Sequence, residues 1–553
     1  MKESNNKIFE SKQLDPVEGN NVKNNVTVKA PDKAERAADL IVCTGILAYA
    51  VFYGFLSVRR VIRLEAGAFD LGIYDQAIWQ IAHFQHLFST VRGMNLFGDH
   101  FTPILFLLAP LYWFFPEPQG LVVFQAIALA LGAWPIYRIA RRHSVSPFLA
   151  TGLALSYLMA PALAYPPLFD FHPNVLAAPL LLFAIDSVER ENYRIFVVWI
   201  TLALLCRQDI ALSVAVLGLA IILRTFSIRG NNHYHDEPDL INDQRVARRR
   251  RARFIAGILT MLAGILWLMG SMYMITLVSG HVTGYVALYS HFGRTPLQII
   301  ENVTLHPIRT ISYVSNPATA DFILQLILPT AGLCLLCPEI LMVTLPELAM
   351  DILSDRWIMQ TIRAQYTPAI LPFVYAAAAV GLGRLMAALH RFELVPQITE
   401  SLAGLIFVLL VGFCFWSYGP RDIFHEIWSG YLTETVLQER EALLSKIPAA
   451  ASVSAGWDFV VPLDHRNQIY MFPNPFIKAW YGPGTAVIRQ EDLNYHPPLP
   501  TKLKPLLAKH PIDYIVATDS GQYKSLLKAA VKYGLYKIVS RKGKMIILKR
   551  SNQ

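Results

Sequence analysis

Charge is scarce in this chain. Of its 553 residues only 16% are Asp, Glu, Lys or Arg, against 54% apolar, and the mean hydropathy is +0.38. A soluble protein of that size has too little interior to hide so much hydrocarbon, which excludes a cytosolic enzyme and a disordered or fibrous chain. Cysteine is scarce too: Cys43, Cys206, Cys334, Cys337 and Cys414 all lie in or beside apolar runs. A secreted disulfide scaffold is therefore excluded. Cys334 and Cys337 form a C-x-x-C with no second pair and no nearby His to complete a metal site, so they read as small packing residues. The first 36 residues lack the apolar core and small-residue cleavage site of a signal peptide. The net charge of +9 comes without a recognisable nucleic-acid motif. Positive-inside orientation and nearby anionic lipid or phosphate account for it, and no nucleic-acid partner is expected.

What is abundant is apolar sequence in long runs. A hydrocarbon core of about 30 Å takes roughly 20 helical residues to cross. Runs approaching that length recur from residue 39 to residue 418, at 39–57, 119–137, 147–165, 175–188, 195–206, 210–223, 254–278, 322–336, 339–350, 368–386 and 399–418. They are rich in Leu, Ala and Ile without the alternation of a membrane barrel, so helices must do the spanning. The fold class expected is an α-helical polytopic membrane protein of about eleven crossings. Residues 101–115, short and holding two prolines, read as a re-entrant or interfacial helix. The expected organisation is a disordered cytoplasmic tail at 1–36, a transmembrane domain at 37–419 and a small α/β domain at 420–553. With the basic loop Arg245 to Arg253 placed inside, the N-terminus is cytoplasmic and residues 420–553 are extracytoplasmic, on an inner (plasma) membrane. Arg59, Arg60 and Arg63 fall on the outer side in this scheme and count against it. The C-terminal region shows period-two stretches such as D-Y-I-V-A-T and M-I-I-L-K, a helix near 522–533, and neither G-x-G-x-x-G nor a P-loop.

Charged residues near span ends need a reason, because insertion at membrane depth costs a few kcal/mol each, roughly. On this topology they gather on the outer face: E-A-G-A-F-D-L-G-I-Y-D-Q with Glu65, Asp70, Tyr74 and Asp75; G-D-H-F with Asp99 and His100; F-D-F-H-P with Asp170 and His172; C-R-Q-D with Arg207 and Asp209; P-E-L-A-M-D with Glu347 and Asp351; and R-A-Q-Y with Arg363 and Tyr366. Asp70 and Asp75 are five apart, about 140° around a continuous helix, so for both to face one cleft the helix must break, for which Gly72 is available. Their plainer role is helix capping or solvated charge. Asp99, His100, Asp170 and His172 are carboxylate and imidazole groups of the kind Mg, Mn or Zn accepts, and they are expected to line one cleft with Asp70. Arg207 interrupts an apolar run and carries the planar fork suited to phosphate, with a structural pair to Asp209 as its alternative.

The order F-D-L-G-I-Y-D-Q, G-D-H-F-T-P-I-L, F-D-F-H-P, C-R-Q-D, Y-T-P-A-I-L-P-F resembles an uncharacterised family of bacterial multi-pass membrane proteins over residues 40–420. That family looks like a branch of the C-type (GT-C) glycosyltransferase superfamily, with protein O-mannosyltransferases and lipid A aminoarabinose transferases. The resemblance implies a polyprenyl-phosphate sugar donor, a glycan, lipid or protein acceptor on the outer face, inverting transfer, and an acidic residue of the first outer loop as general base. On this chain that is Asp70, with Asp75 second; Tyr74, Asp99, His100, Asp170, His172, Arg207, Asp209, Glu347, Arg363 and Tyr366 are the substrate-binding candidates, and a divalent Mg or Mn ion is the candidate cofactor. Two departures stand out. Asp70 is followed by Leu71 where the mannosyltransferases carry an adjacent acid, and H-F-T-P replaces H-P-P-L. A transporter or flippase would use similar charges but should show inverted-repeat halves, and none is evident. A non-catalytic scaffold leaves the one-sided convergence of polar motifs unexplained.

Overall fold

A computed structural model of the chain describes residues 33–227, 240–280, 284–391, 397–477, 503–521 and 523–551. Residues 1–32, most of the segment read as a polar tail, lie outside the described residues; Lys33 to Arg36 already belong to the first helix, α1 (Lys33–Ile62). The chain is mostly helical. One side of α1 buries Val42, Tyr49, Tyr53 and Leu56, while Leu47, Val51 and Phe55 stand exposed on the other. Exposed hydrocarbon along a helix of about 45 Å is what a lipid-facing surface looks like. The same pattern runs along Leu240–Ser279, where Leu259, Leu266 and Met269 are exposed. The basic run Arg245 to Arg253, expected as a loop, is the first part of this helix.

Four described helices are long and apolar enough to cross a membrane: Lys33–Ile62, Gln119–Arg142, Gln244–Ser279 and Thr367–Arg391. A fifth forms if Pro147–Leu158 and Pro161–Leu168, bent by 41°, count as one span. The bend falls at Pro161, which has no N–H to continue the helical ladder. Eleven helices of spanning length are therefore not present among the described residues. The two spans expected at 322–336 and 339–350 are replaced by a string of short helical pieces. Pro317, Pro329, Pro338 and Pro346 each sit in the first turn of one of them, the place where a missing N–H costs nothing. Residues 101–115 contain only Ile104–Leu108 and Ala109–Trp113, about 15 Å of helix, too short to cross. Trp113 Nε1 donates to Ala82 O, tying this piece to the helix α2 (Leu71–Ala82).

The helices run back and forth between two polar ends. Gln119–Arg142 ends at Arg138 and Arg142, which pair with the fully buried Asp186 near the end of Ala177–Glu189; Arg190 joins them at 2.9 Å. Tyr193–Cys206 then returns to Arg207. The arginine-rich end and the end carrying His172 and Arg207 thus lie at opposite ends of the same helices.

The strands lie mostly in the last hundred residues. A short hairpin, β1 (Phe88–Ser89) with β2 (Met94–Asn95), stands apart from a five-stranded sheet of β3 (Val453–Ala455), β4 (Ile469–Met471), β5 (Tyr514–Thr518), β6 (Tyr536–Lys542) and β7 (Met545–Arg550). Its order is β4-β3-β5-β7-β6, parallel around β3 and antiparallel from β5 to β6. Strand alternation divides the side chains between two cores. Ile515, Ala517, Ile546 and Leu548 pack with Leu526 and Phe476, whereas Val516, Met545 and Ile547 join Val453, Val460 and Ile469 in the large core shared with the helices. One face of the sheet is thus laid against the rest of the molecule.

Candidate active site

Between α1 and α2 the motif E-A-G-A-F-D-L-G forms a tight turn. Asp70, immediately before α2, has φ 64° and ψ −86°, a conformation that costs a non-glycine residue of order 1–3 kcal/mol and persists only where its surroundings enforce it. Its side chain makes no capping hydrogen bond to α2, so capping is not its role. The carboxylate instead lies 2.9 Å from His172 Nε2. The other ring nitrogen of His172, Nδ1, lies 3.1 Å from the Asp170 carbonyl oxygen. Both ring nitrogens therefore face oxygen atoms, which fixes the plane of the ring. Desolvation works against charge on Asp70, but His172, then Arg356 and His100, outweigh it and hold the carboxyl below its usual range. Asp70 is poised as an ionised base.

Gln125, fully buried, shapes the F-D-F-H turn: its Nε2 donates to the carbonyls of Pro166 and Asp170, and its Oε1 accepts from His172 N at 2.9 Å. The Asp170 carboxylate accepts from Gly67 N at 3.2 Å and faces Arg60 at 3.4 Å. Burial nevertheless pushes Asp170 up to about 7, against the pull of Arg60 and with the charge of Asp70 adding to the rise. A carboxyl with a raised folded-state pKa favours the folded form most when protonated. Its contribution is fully present below about 3.8, the ordinary value, and is lost as pH rises through about 7. Asp170→Asn should flatten the decline in melting temperature of the detergent-purified protein between pH 5 and pH 8; an unchanged slope would mean that another group sets it.

The two glycines of the motif owe their identity to the C-terminal region. A Cβ on Gly67 would come within 2.4 Å of the Trp457 ring, and one on Gly72 within 3.1 Å of Val460. Gly72 is an ordinary helical residue, so α2 does not break there as expected. Gly67→Ala should cost about 1–3 kcal/mol by overpacking, read as a lower melting temperature that Trp457→Ala in the same chain restores in part.

A cavity of about 370 Å³ lies at the same polar end of the bundle, although neither Asp70 nor His172 is among its lining residues. C-R-Q-D reaches it because the apolar run breaks after Cys206, where Arg207 is extended before the next helix, Ile210–Ser227, begins. The cavity is lined by His100, Arg207, Asp209, Glu347, Asp351 and Tyr366, together with Tyr285 and Tyr289. Four of the motifs singled out in the sequence supply those first six residues. Arg207 Nε donates to both oxygens of Asp209 at 2.7 Å, so the structural pair is formed. Glu347 Oε1 and Asp351 Oδ2 are buried without a hydrogen-bond partner among the described residues. Three carboxylates, one guanidinium and three tyrosines thus share the cavity with an apolar wall that includes Leu288, Ile299, Ile300 and Met359, a lining that offers hydrogen-bonding groups to hydroxyls and hydrocarbon to a ring face or chain. Gln208 holds His100 in place, its Nε2 3.0 Å from Nδ1, and the His100 ring stacks on Tyr285 at 4.7 Å. Desolvation keeps His100 below its usual pKa despite the charge of Asp99.

The cation nearest in role to a phosphate clamp is Arg356, absent from the sequence reading. Its charge acts on Asp70, and its Nη1 donates to Tyr366 Oη at 3.3 Å. The only signal for it was its place in S-D-R-W, a polar break directly after Asp351.

Other expected members lie elsewhere. Asp75 faces Tyr112 and His465, not Asp70's partners. Arg363 pairs with Asp422 at 3.6 Å, lies over the Tyr165 ring and lines a separate cavity of about 500 Å³. Asp99 accepts from Arg92 Nε at 2.9 Å and from Tyr285 Oη at 3.1 Å. Tyr74 packs edge-on against Phe171 and His172. Asp99, His100, Asp170 and His172 are not within ligand distance of a common point; among the described residues, three potential ligands meet only at Asp75, Asp464 and His465.

Among solved structures, sixteen chains match significantly. One is the crystal structure of ArnT from Cupriavidus metallidurans in the apo state, at TM-score 0.50 and 12% identity, covering 93% of this chain and 98% of that one. The architecture, with its polar motifs gathered at one end of a helical bundle, shares the fold of that structure. The profile of the family described as "Predicted membrane protein (DUF2079)" matches residues 60–482, and the chain belongs to that family. A comparison with curated proteins finds no significant match.

Proposed function

We propose that the protein is an inverting glycosyltransferase that moves a sugar from a polyprenyl-phosphate donor to a glycan, lipid or protein acceptor at the outer face of the inner membrane. The observation that carries this reading is the Asp70 carboxylate, held in a strained turn, released from capping and flanked by His172 and Arg356, at the same polar end as a cavity into which three carboxylates and three tyrosines project. In the reaction the acceptor oxygen bonds to the anomeric carbon as the bond from that carbon to the phosphate oxygen breaks. Asp70 takes the acceptor proton, and the leaving polyprenyl phosphate keeps the electron pair, its charge met by Arg356 and His172. General-base catalysis and fixed cations aimed at developing charge are the two effects this arrangement supplies. The cavity carboxylates and tyrosines would hold the sugar hydroxyls.

The arginine-rich end around Asp186 supports a cytoplasmic placement for that side. The Asp70 end and residues 420–553 then face outward. Reporter fusions after residue 430 should read as extracytoplasmic, and a cytoplasmic signal there would remove the site from the side on which the donor is consumed. The direct test is transfer of a labelled sugar from polyprenyl phosphate by the full chain in proteoliposomes. If a panel of polyprenyl-phosphate sugars gives neither transfer nor binding, the reading fails.

A further inference from the structure

Five residues after Asp70, on a different side of α2, Asp75 is completely buried. It meets a segment nearly four hundred residues later in the chain. His465 Nε2 lies 3.1 Å from Asp75 Oδ2 and 3.9 Å from Asp464 Oδ1, and one ligand atom from each residue falls within 4.8 Å of the others. The Tyr112 hydroxyl donates to Asp75 Oδ1. Asp75 Oδ2 and both carboxylate oxygens of Asp464 are buried with no hydrogen-bond partner among the described residues, and Asp464 is 1% exposed. Two carboxylates held together away from water repel each other unless a positive group lies between them. The neighbouring Arg466 does not fill that place: its guanidinium donates to the carbonyls of Leu463, Pro448 and Ala451. Glu117 adds further negative charge nearby. His465 is held by stacking on Trp79, with rings 6.0 Å apart and 10° from parallel, and its 28% exposure leaves a way in from solvent.

We infer that Asp75, Asp464 and His465 form a binding site for a divalent cation, Mn²⁺ or Zn²⁺, that clamps the C-terminal region to α2. Two carboxylates and an imidazole are a ligand set these ions accept, and separations of 3 to 4 Å are what ligands about 2.1 Å from one ion present. Water from the open side would complete the coordination. The ion would act on a seam that is already aligned, since the next residue, Gln76, donates to Arg466 O at 3.1 Å and to Thr90 Oγ1 at 3.0 Å. Because α2 starts directly after Asp70, the clamp would also hold the turn that carries that carboxylate. It is a positioning site, separate from the Asp70–His172 pair, and does not depend on which reaction that pair performs.

The test uses the full chain purified in detergent, stripped with EDTA, and titrated with MnCl₂ or ZnCl₂ alongside MgCl₂ and CaCl₂. Bound metal is counted by elemental mass spectrometry and the melting temperature followed in parallel. The expected result is one Mn²⁺ or Zn²⁺ per chain and a melting temperature raised by several degrees. Asp464→Asn and His465→Gln should each weaken binding by more than the 10- to 100-fold that loss of an outer-shell partner typically causes, while His510→Gln, at a half-buried histidine of the same region, keeps it. If Asp464→Asn fails to accumulate, His465→Gln decides, because that side chain is partly exposed. Stoichiometry well below one at millimolar metal, or equal binding by the variants, overturns the site. A melting temperature that responds to acid but not to metal also overturns it, assigning the carboxylate pair a shared proton instead.

Discussion

Asp70→Asn should lower the rate of sugar transfer by about 10²- to 10⁴-fold, the usual contribution of a general base, while leaving the melting temperature nearly unchanged. The substitution is clean for a structural reason. Asp70 sits at φ 64°, and Asn is among the few non-glycine residues that enter positive φ with little added cost. The amide keeps the shape and can still meet His172, but it cannot take a proton. Asp70→Ala, by contrast, should lose both rate and stability, because it leaves His172, 3% exposed, facing an empty place. If the Asn variant kept full activity with an identified donor and acceptor, the base would lie elsewhere. Asp170 would be the next residue to test, since it lies in the same cluster, whereas Asp75 is engaged at the C-terminal seam.

Arg207→Ala carries the second large effect, and here it is stability that should fall. Arg207 forms a two-pronged pair with Asp209, both side chains 15% exposed or less. Removing one partner of such a pair leaves a buried charge uncompensated and typically costs about 3–5 kcal/mol. Arg207→Lys keeps the charge but loses the fork and should fall in between. Replacing both partners, as Arg207→Met with Asp209→Leu, should restore most of the stability while the cavity, stripped of two polar groups, stays inactive. Thermal unfolding of the four proteins separates these outcomes. An Arg207→Ala protein as stable as the parent, with only a raised KM for the donor, would make Arg207 a phosphate ligand instead.

The membrane class was legible because it rests on amounts: too much hydrocarbon and too little charge for a soluble interior. The resemblance to a multi-pass family was legible because motif order survives in sequence even where helix lengths do not. Alternation in the last strands was legible as well, since Ile515 and Val516, adjacent in D-Y-I-V-A-T, necessarily point to opposite faces of a strand. The number of spanning helices was not legible. Apolar runs such as 322–350 satisfy a hydropathy window, yet the prolines inside them start new short helical pieces, and hydropathy does not register where the backbone turns.

By itself, the sequence determined that this is a membrane-embedded helical protein whose acids, histidines and arginines gather at the ends of apolar segments. Only the tertiary structure decided which of them meet. Asp70 and Asp75 read alike in F-D-L-G-I-Y-D-Q, but the first sits in the turn before α2 and the second within the helix, so they meet different partners, His172 for one and His465 for the other. Arg207 was legible as a cation with either phosphate or Asp209 as its partner, and only folding shows that it is committed to Asp209 while Arg356, which no motif pointed to, acts on Asp70. A residue's chemistry is local to the chain, but for Asp70 and Asp75 the partners His172 and His465 lie about one hundred and four hundred residues away, which no local pattern encodes.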